Sequence, residues 1–564
     1  MCLLTFHLDT LIILLMKNRE KTKIRISFLP AILLCVAFAF LLLLYAPLSI
    51  YLLNVDEFSY DIYDLLKMMA PIFGQILVVL VIFFFIQWLF GKKFYLFWLA
   101  LFFIAYLATY VQGTFFSGNL PPMSGDAIDW SLYDYQRVFS IIIWVVISAA
   151  VIYCLVKFKS VKLVSYTCAF VTLMLILSLL ISGLGGGFRN KNDYIATYGG
   201  INELSEGNNL IILVLDAVDA DKYQELKATH PEYQDVFEDF TYYSNTMGAY
   251  PYTSRSIPFI ITGQWYENAE SFYSYTNKAY STFNLLDELH EKNYKINIYE
   301  AELALSEDVM RQFDNTSGGD NLGFLYPLGF YKVQAKLVGY RYFPYDLKKY
   351  CEQSPAKISN STQHGISGAQ WFDASNITFY NDVCTSDYTI CSQPVYSFIH
   401  LYGAHSPYSL SADLDEIDDS NYTCSVEACF NITDRFLSNL KRTGLYDNTA
   451  IIILADHGLN ENVPLNSDDP TGRQNPILFV KGINEHHKYI ESAAPISFDD
   501  LQSAYSSLIN GATGADVFNI DEDAVRERRY LRYNLYDFTL HESIQYGNAA
   551  DTETLIDTGV IFKE

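Results

Sequence analysis

The chain has 564 residues, too many for one compact core, and 51% hydrophobic against 18% charged residues is more apolar than an ordinary soluble protein. Its net charge of −25 repels polyphosphate and argues against a nucleic-acid-binding role. The apolar residues crowd into the first third, and from about Asn190 onward the sequence reads as an acidic, water-soluble domain.

Residues 1–27 read as a cytoplasmic N-terminus. The first fifteen form a short apolar run, either the product of a mis-assigned start codon ahead of Met16 or a short non-spanning segment. A cleaved signal peptide is disfavoured, because the apolar run at Phe28 is too long and has no clear cleavage site. A hydrocarbon core of roughly 30 Å needs about 20 apolar residues in a helix. Five stretches within 28–184 meet this: Phe28–Leu53, Ile72–Phe90, Tyr95–Val111, Phe139–Val156 and Leu163–Leu184. Lys17, Arg19, Lys21, Lys23 and Arg25 precede the first. Lys92 and Lys93 separate the second from the third, and Lys157, Lys159 and Lys162 the fourth from the fifth. The alternate loops carry Asp56, Glu57 and Asp61, then Asp126, Asp129 and Asp134. Excess Lys and Arg mark cytoplasmic loops, so the expected topology is a multi-pass plasma (inner) membrane protein with a cytoplasmic N-terminus. An odd number of spans places everything after Gly185 outside, extracellular or periplasmic.

Gly185–Gly187 end the last span, a linker runs over 185–207, and 208–564 is expected to be one extracytoplasmic domain. Asn209–Leu215, Val395–His400, Ala450–Leu454 and Ile477–Val480 are short continuous apolar runs that fit strands buried on both faces. Helical patterns such as Thr282–Lys292 and Ile432–Arg442 alternate with them, which predicts an α/β domain with a mainly parallel sheet between helices. Two close cysteine pairs, Cys384/Cys391 and Cys424/Cys429, are candidates for small disulfide loops in an oxidising compartment. Asn376-Ile-Thr and Asn431-Ile-Thr are glycosylation triplets, relevant only in a host that glycosylates.

In open α/β sheets ligands bind beyond the carboxyl ends of the strands. Three of the four predicted strands run into chemistry-bearing side chains: Asn209–Leu215 into Asp216, Ala450–Leu454 into Asp456-His457-Gly458, and Val395–Ile399 into His400 and then His405-Ser-Pro-Tyr408. Singly, each has a plain structural reading as a turn, cap or loop residue. Together, at one sheet edge, they form a ligand set for a divalent cation. The nucleophile candidate is Thr253 in Tyr250-Pro-Tyr-Thr-Ser-Arg-Ser-Ile-Pro, ahead of an apolar helix that stops at Thr262-Gly263. A helix start offers free N–H groups and a positive dipole end to an anionic ester. A threonine hydroxyl needs metal coordination to become a competent nucleophile.

Thr253-X-X-Ser-X-Pro, the Thr-Gly stop, Gly444-Leu-Tyr-Asp-Asn-Thr449 leading to Ala455-Asp-His-Gly, and His405-Ser-Pro-Tyr resemble the sulfatase branch of the alkaline phosphatase superfamily. Five spans followed by such a domain resemble membrane phosphoethanolamine transferases and lipoteichoic acid synthases, over roughly 208–511 plus the anchor. The resemblance implies one catalytic metal, Mn or Zn, on Asp216, Thr253, Asp456 and His457, with Thr253 attacking. It implies that His405 contacts the transferred phosphate or assists the leaving group. His400 matches a second histidine of the phosphoethanolamine transferase pattern, and Arg473 and Arg255 are candidate substrate-binding residues. Departures are specific. Thr253 stands where formylglycine sulfatases require Cys or Ser, which argues against classical sulfate-ester hydrolysis. Asp216 replaces a usual Glu, and Asp219 a common Arg. No histidine closely follows Asp-His-Gly, which argues against a second metal; His486 and His487 are the remaining candidates and read better as a surface pair. The expected activity is transfer of a phospho-headgroup, phosphoethanolamine or phosphoglycerol, from a membrane phospholipid donor to a glycan or lipid acceptor. The alternatives are a membrane-anchored phosphate or sulfate ester hydrolase, and a non-catalytic binding domain that takes up no metal.

Overall fold

The computed structural model describes residues 27–563 except 56–57, 59, 118–119, 122, 124–127, 129, 159–160, 184–193, 302, 304, 319–322, 325, 354–357, 359–360, 362–363, 366–370, 460–471 and 535–538. The basic N-terminus, Met16, Cys2, Gly185–Gly187 and the loop acids Asp56, Glu57, Asp126 and Asp129 lie outside the described residues. The chain divides into a helical unit (1–121, 127–190 and 327–353) and an α/β unit (122–126, 191–326 and 354–564).

Five helices in the helical unit are long and apolar enough to cross a membrane: α1 (Leu29–Leu53), α2 (Ile62–Phe90), α3 (Lys92–Phe115), α4 (Trp130–Lys157) and α5 (Lys162–Ser182). Their length and apolar composition suit them to a membrane anchor. Most run past the apolar stretches that announce them. Helix α2 starts ten residues before Ile72 because the Asp61 carboxylate accepts from the Asp64 N–H at 2.8 Å and caps the first turn. Pro71 then sits inside the helix. Helix α1 is the most buried of the five, whereas α2 and α4 expose Val78, Val79, Ile82, Val145 and Val146, as lipid-facing surfaces do.

The segment 327–353, inside the range expected for the outer domain, groups with these helices. Its helix Pro327–Tyr342 joins them through hydrogen bonds from Gln334 to the Tyr60 hydroxyl (2.7 Å), between Tyr342 and Ser49 (3.1 Å), and from Arg341 to the Gly113 carbonyl (3.2 Å). Tyr60 lies between α1 and α2, and Ser49 and Gly113 lie in the last turns of α1 and α3, at the far end of α3 from Lys92 and Lys93.

The α/β unit is built on a seven-stranded sheet: β1 (Asn209–Leu215), β2 (Thr241–Tyr243), β3 (Lys295–Tyr299), β4 (Val395–Leu401), β5 (Thr449–Leu454), β6 (Leu478–Lys481) and β7 (Ile490–Ser492). Their spatial order is β7-β2-β6-β5-β1-β4-β3. Strands β5, β1, β4 and β3 are mutually parallel, and β6 runs antiparallel to both its neighbours. Successive side chains of a strand point to opposite faces. Accordingly Leu210, Ile212 and Val214 enter one hydrophobic core, while Ile211, Leu213 and Leu215 enter the other. Burial on both faces explains why β1 is a continuous apolar run. A three-stranded antiparallel sheet, β8 (Arg528–Tyr533), β9 (Leu540–Gln545) and β10 (Leu555–Phe562), closes the chain.

The helical pattern over Thr282–Lys292 is the helix Asn284–Glu291, set off from the preceding helix Phe272–Thr282 by Phe283, whose extended backbone buries its ring. One expectation needs correction. The cysteines Cys384, Cys391, Cys424 and Cys429 are all free thiols. Cys424 and Cys429 are five positions apart on one helix, Tyr422–Thr443, so their side chains diverge around the axis and cannot bridge.

Candidate active site

The register of the parallel strands lines up three side chains at one edge. Leu401 pairs with Leu215 and Leu454 with Val214, so His400 near the end of β4, Asp216 just past β1 and Asp456 just past β5 emerge side by side. Because β6 is antiparallel to β5, its beginning lies at this same edge, and Arg473 precedes it. Gly458 N–H donates to the Arg473 carbonyl at 2.8 Å, which ties the two loops together. Gly403, with φ of 54°, lies against the Asp216 backbone, and a Cβ there would collide with it.

Each candidate ligand is prepared by hydrogen bonds that leave one atom free. Asp456 Oδ1 accepts from the N–H groups of Ala217 (3.1 Å) and His457 (2.9 Å), while its Oδ2 is buried without a partner. His457 Nδ1 faces the Gly458 carbonyl at 2.8 Å. A carbonyl only accepts, so Nδ1 carries the proton and the Nε2 lone pair is available to a cation. That Nε2 lies 3.7 Å from Asp216 Oδ1 and 3.7 Å from Asp456 Oδ2, and Asp216 Oδ1 also lacks a partner. Tetrahedral ligands at about 2.0–2.2 Å from zinc stand roughly 3.3–3.6 Å apart. Two orphaned carboxylate oxygens and one free imidazole nitrogen at this spacing fit a divalent cation. Asp216, Asp456 and His457 form the one cluster among the described residues with metal-site spacing.

Thr253 completes the arrangement. It is the first residue of helix α6 (Thr253–Thr262), half-buried, and its hydroxyl donates to Asp216 Oδ2 at 3.3 Å. The helix is anchored below by Ser256, whose hydroxyl donates to the Asp456 carbonyl at 2.5 Å. Asp216, Asp456 and His457 are buried, whereas Thr253 is partly exposed.

The electrostatics match this reading. Burial alone would raise the Asp216 carboxyl, but His405, His400 and His457 together hold it well below the usual carboxylate range. Asp456 is pushed up by burial and by the charge of Asp216. Burial works against a charged His400, yet Glu300 and Asp216 raise it well above the usual imidazole range. Two adjacent buried carboxylates of opposite tendency share positive charge poorly with protons alone, and a cation would satisfy both.

The other expected residues fall in distinct places. His405 acts electrostatically on Asp216, and its Nδ1 donates to the Ser406 carbonyl, which leaves Nε2 free. Arg473 is buried beside the segment that leads to Thr253: its Nη1 donates to the Pro251 carbonyl at 3.1 Å, its guanidinium lies 5.0 Å from the Tyr252 ring, and its Nη2 has no partner. Arg255 lies two positions beyond Thr253 and so points to the other side of α6. There its guanidinium sits 3.8 Å from Phe272 and 4.6 Å from Tyr533. His486 is 3.4 Å from Asp447, which precedes β5, whereas Asp456 follows it. A six-residue strand puts these ends about 20 Å apart, so the His486/His487 pair does not serve this site.

Sequence reasoning passed over two supports. Asn376 exchanges hydrogen bonds with Gly403 (2.7 and 3.0 Å) and fastens the loop between His400 and His405; its place in a glycosylation triplet masked this role. Asp219 caps the helix Ala220–Thr229 and accepts from Leu459 N–H at 3.1 Å, and burial, then Asp221, push its carboxyl up to about 8.

A family profile described as Sulfatase matches residues 208–507, more than half of the chain. The chain belongs to the sulfatase family. Structural neighbours of this sulfatase-family protein lie in the alkaline phosphatase superfamily. It is similar to a protein of that superfamily from Vibrio parahaemolyticus, at 16% identity over 66% of this chain and 81% of that one, with a TM-score of 0.37. It is also similar to the lipoteichoic acid synthase LtaP from Listeria monocytogenes, at 14% identity over 64% of this chain and 88% of that one, TM-score 0.36. A phosphonate monoester hydrolase from Silicibacter pomeroyi matches at 13% identity over 63% and 89%, TM-score 0.35. No curated protein matches the sequence.

Proposed function

We propose that this membrane-anchored sulfatase-family enzyme transfers a phospho-headgroup, phosphoethanolamine or phosphoglycerol, from a membrane phospholipid to a cell-envelope glycan or lipid through a covalent phospho-threonine at Thr253. The observation that carries this reading is the half-exposed Thr253 hydroxyl at a helix start, 3.3 Å from Asp216 Oδ2 and beside the Asp456–His457 cluster. A divalent cation held by Asp216, Thr253, Asp456 and His457, either Mn or Zn by its three-oxygen, one-nitrogen donor set, would acidify the Thr253 hydroxyl and offset phosphoryl charge.

In the first displacement Thr253 Oγ1 bonds to phosphorus as the bond to the diacylglycerol oxygen breaks. The Thr253 proton leaves on the Asp216 side, where it already forms a hydrogen bond, and protonated His405 Nε2 supplies a proton to the leaving oxygen. In the second, an acceptor hydroxyl attacks the phospho-threonine, its proton passes to His405, and Thr253 regains its own. Arg473 Nη2 is the free donor for a non-bridging phosphoryl oxygen. A lipid donor accounts for the multi-span anchor, and the positive-inside pattern of the loops supports an N-terminus in the cytoplasm and catalysis on the opposite face of the plasma membrane.

The test is mass spectrometry of the full-length protein in detergent after incubation with total membrane lipid. A headgroup-phosphate adduct on Thr253, absent in Thr253→Ala, is expected, and the adduct should discharge onto an added acceptor glycan. Discharge onto water at the same rate with or without acceptor favours hydrolysis. Metal-loaded protein that stays unmodified overturns both enzymatic readings.

A further inference from the structure

The carboxyl edge of the sheet carries one more acid, Glu300, immediately after β3. Tyr299 pairs with Ile399, so the next residues, Glu300 and His400, are neighbours across β3 and β4. Glu300 Oε2 lies 2.6 Å from His400 Nδ1, and the two residues are only 6% and 4% exposed. The other ring nitrogen, Nε2, has no hydrogen-bond partner and lies 3.8 Å from Asp216 Oδ2. Asp216 therefore has two distinct sides. Its Oδ2 faces His400 and Thr253, and its Oδ1 faces His457, with Asp456 alongside.

We propose that Glu300 is a positioning residue of the metal centre: it holds the His400 ring through Nδ1, so that the ring braces Asp216 Oδ2 and turns Oδ1 toward the cation position shared with Asp456 and His457. The inference rests on the metal-centre reading above. A buried imidazole free to rotate or flip about its Cβ–Cγ bond would present either ring edge to Asp216. A carboxylate fixed at the end of a neighbouring strand removes that freedom, as outer-shell partners of metal ligands do. Both groups stand on strand ends rather than loops, which makes the brace rigid. A merely structural ion pair would contribute to folding without reaching the cation.

The experiment is calorimetric titration of chelator-stripped, full-length protein in detergent with zinc or manganese alone, with the melting temperature of the stripped protein recorded beside it. Glu300→Ala is expected to weaken metal affinity about 10–100-fold. Glu300→Gln, whose amide oxygen still accepts from Nδ1–H, should recover most of that loss. His400→Ala should lose as much as Glu300→Ala, and the double variant no more than His400→Ala alone, because the two act as one unit. Unchanged affinity in Glu300→Ala, with only a lowered melting temperature, overturns the proposal in favour of a structural pair; additive losses in the double variant also overturn it. Should Glu300→Ala fail to fold, Glu300→Gln against the background of His400→Ala decides the same coupling. Wild-type protein that takes up no metal overturns the metal centre itself, a result distinct from wild type and Glu300→Ala binding equally well.

Discussion

The helical unit and the α/β unit differ in which polar groups they leave buried without a partner. Within the helices, hydrogen bonds such as Ser140 to Gln112 (2.8 Å) join side chains across the unit, and the buried polar atoms left over belong to neutral groups of Tyr106, Thr114, Gln136, Trp144 and Tyr345. At the sheet edge of the other unit, by contrast, the ionisable side chains of Asp216, Asp456, His400 and Arg473 each keep a buried polar atom without a protein partner. Leaving one such atom unpaired costs about 1–3 kcal/mol, and more when charged. Neutral orphaned groups occur in both units, but at one edge of the α/β sheet four ionisable ones gather around one hydroxyl. The comparison teaches where a charged ligand would repay the cost of burial: at that edge.

The contrast can be broken or sharpened by substitution. Asp456→Asn removes a charge at the same size, and it should cost about 100-fold or more in metal retention, beyond the outer-shell range, and abolish turnover. Metal analysis after dialysis reads this, and undiminished metal would erase the distinction between the units. Arg473→Lys loses the flat multi-donor fork beside Thr253 and is expected to lower kcat/KM about 10–100-fold while metal content stays at the wild-type level. In the helical unit, Gly113→Ala would drive a methyl into the buried Tyr342 ring, which is pinned by Ser49. A destabilisation of about 1–3 kcal/mol should appear as faster proteolysis within 327–353, again with metal content unchanged.

The smallest effect concerns Asp219. An acid whose folded pKa is raised to about 8 binds more protons folded than unfolded between roughly pH 4 and 8, so stability falls as pH rises through that window. Asp219→Asn keeps the helix cap and removes the titration. The melting temperature of the variant should gain a few degrees on wild type at pH 8 and little at pH 5, and an equal difference at both would show that Asp219 does not titrate there.

Much of this was legible in one dimension. The apolar stretches announced all five membrane helices, although α2 extends to Asp61 because capping, not hydropathy, decides where a helix starts. The strand β1 was readable to its end residues, since double-sided burial demands an unbroken apolar run. Asp216, Thr253, His400, Asp456 and His457 could be named because each lies at or near the end or the start of a regular element, and the structure brings them together. Arg255 carries the same charge as Arg473 and sits closer to Thr253 in sequence, yet helical geometry turns it into an aromatic enclosure.

The sequence by itself determined the five long apolar helices, the principal strands and which side chains follow them at the sheet edge, because periodicity and composition act over a few neighbouring residues. Only the tertiary structure decided that β6 runs antiparallel and delivers Arg473, that 327–353 leaves the surrounding α/β unit to pack with the helices, and that Glu300 meets His400. Those facts depend on register and on contacts between residues far apart in the chain, where no local pattern records which neighbour a strand end will find.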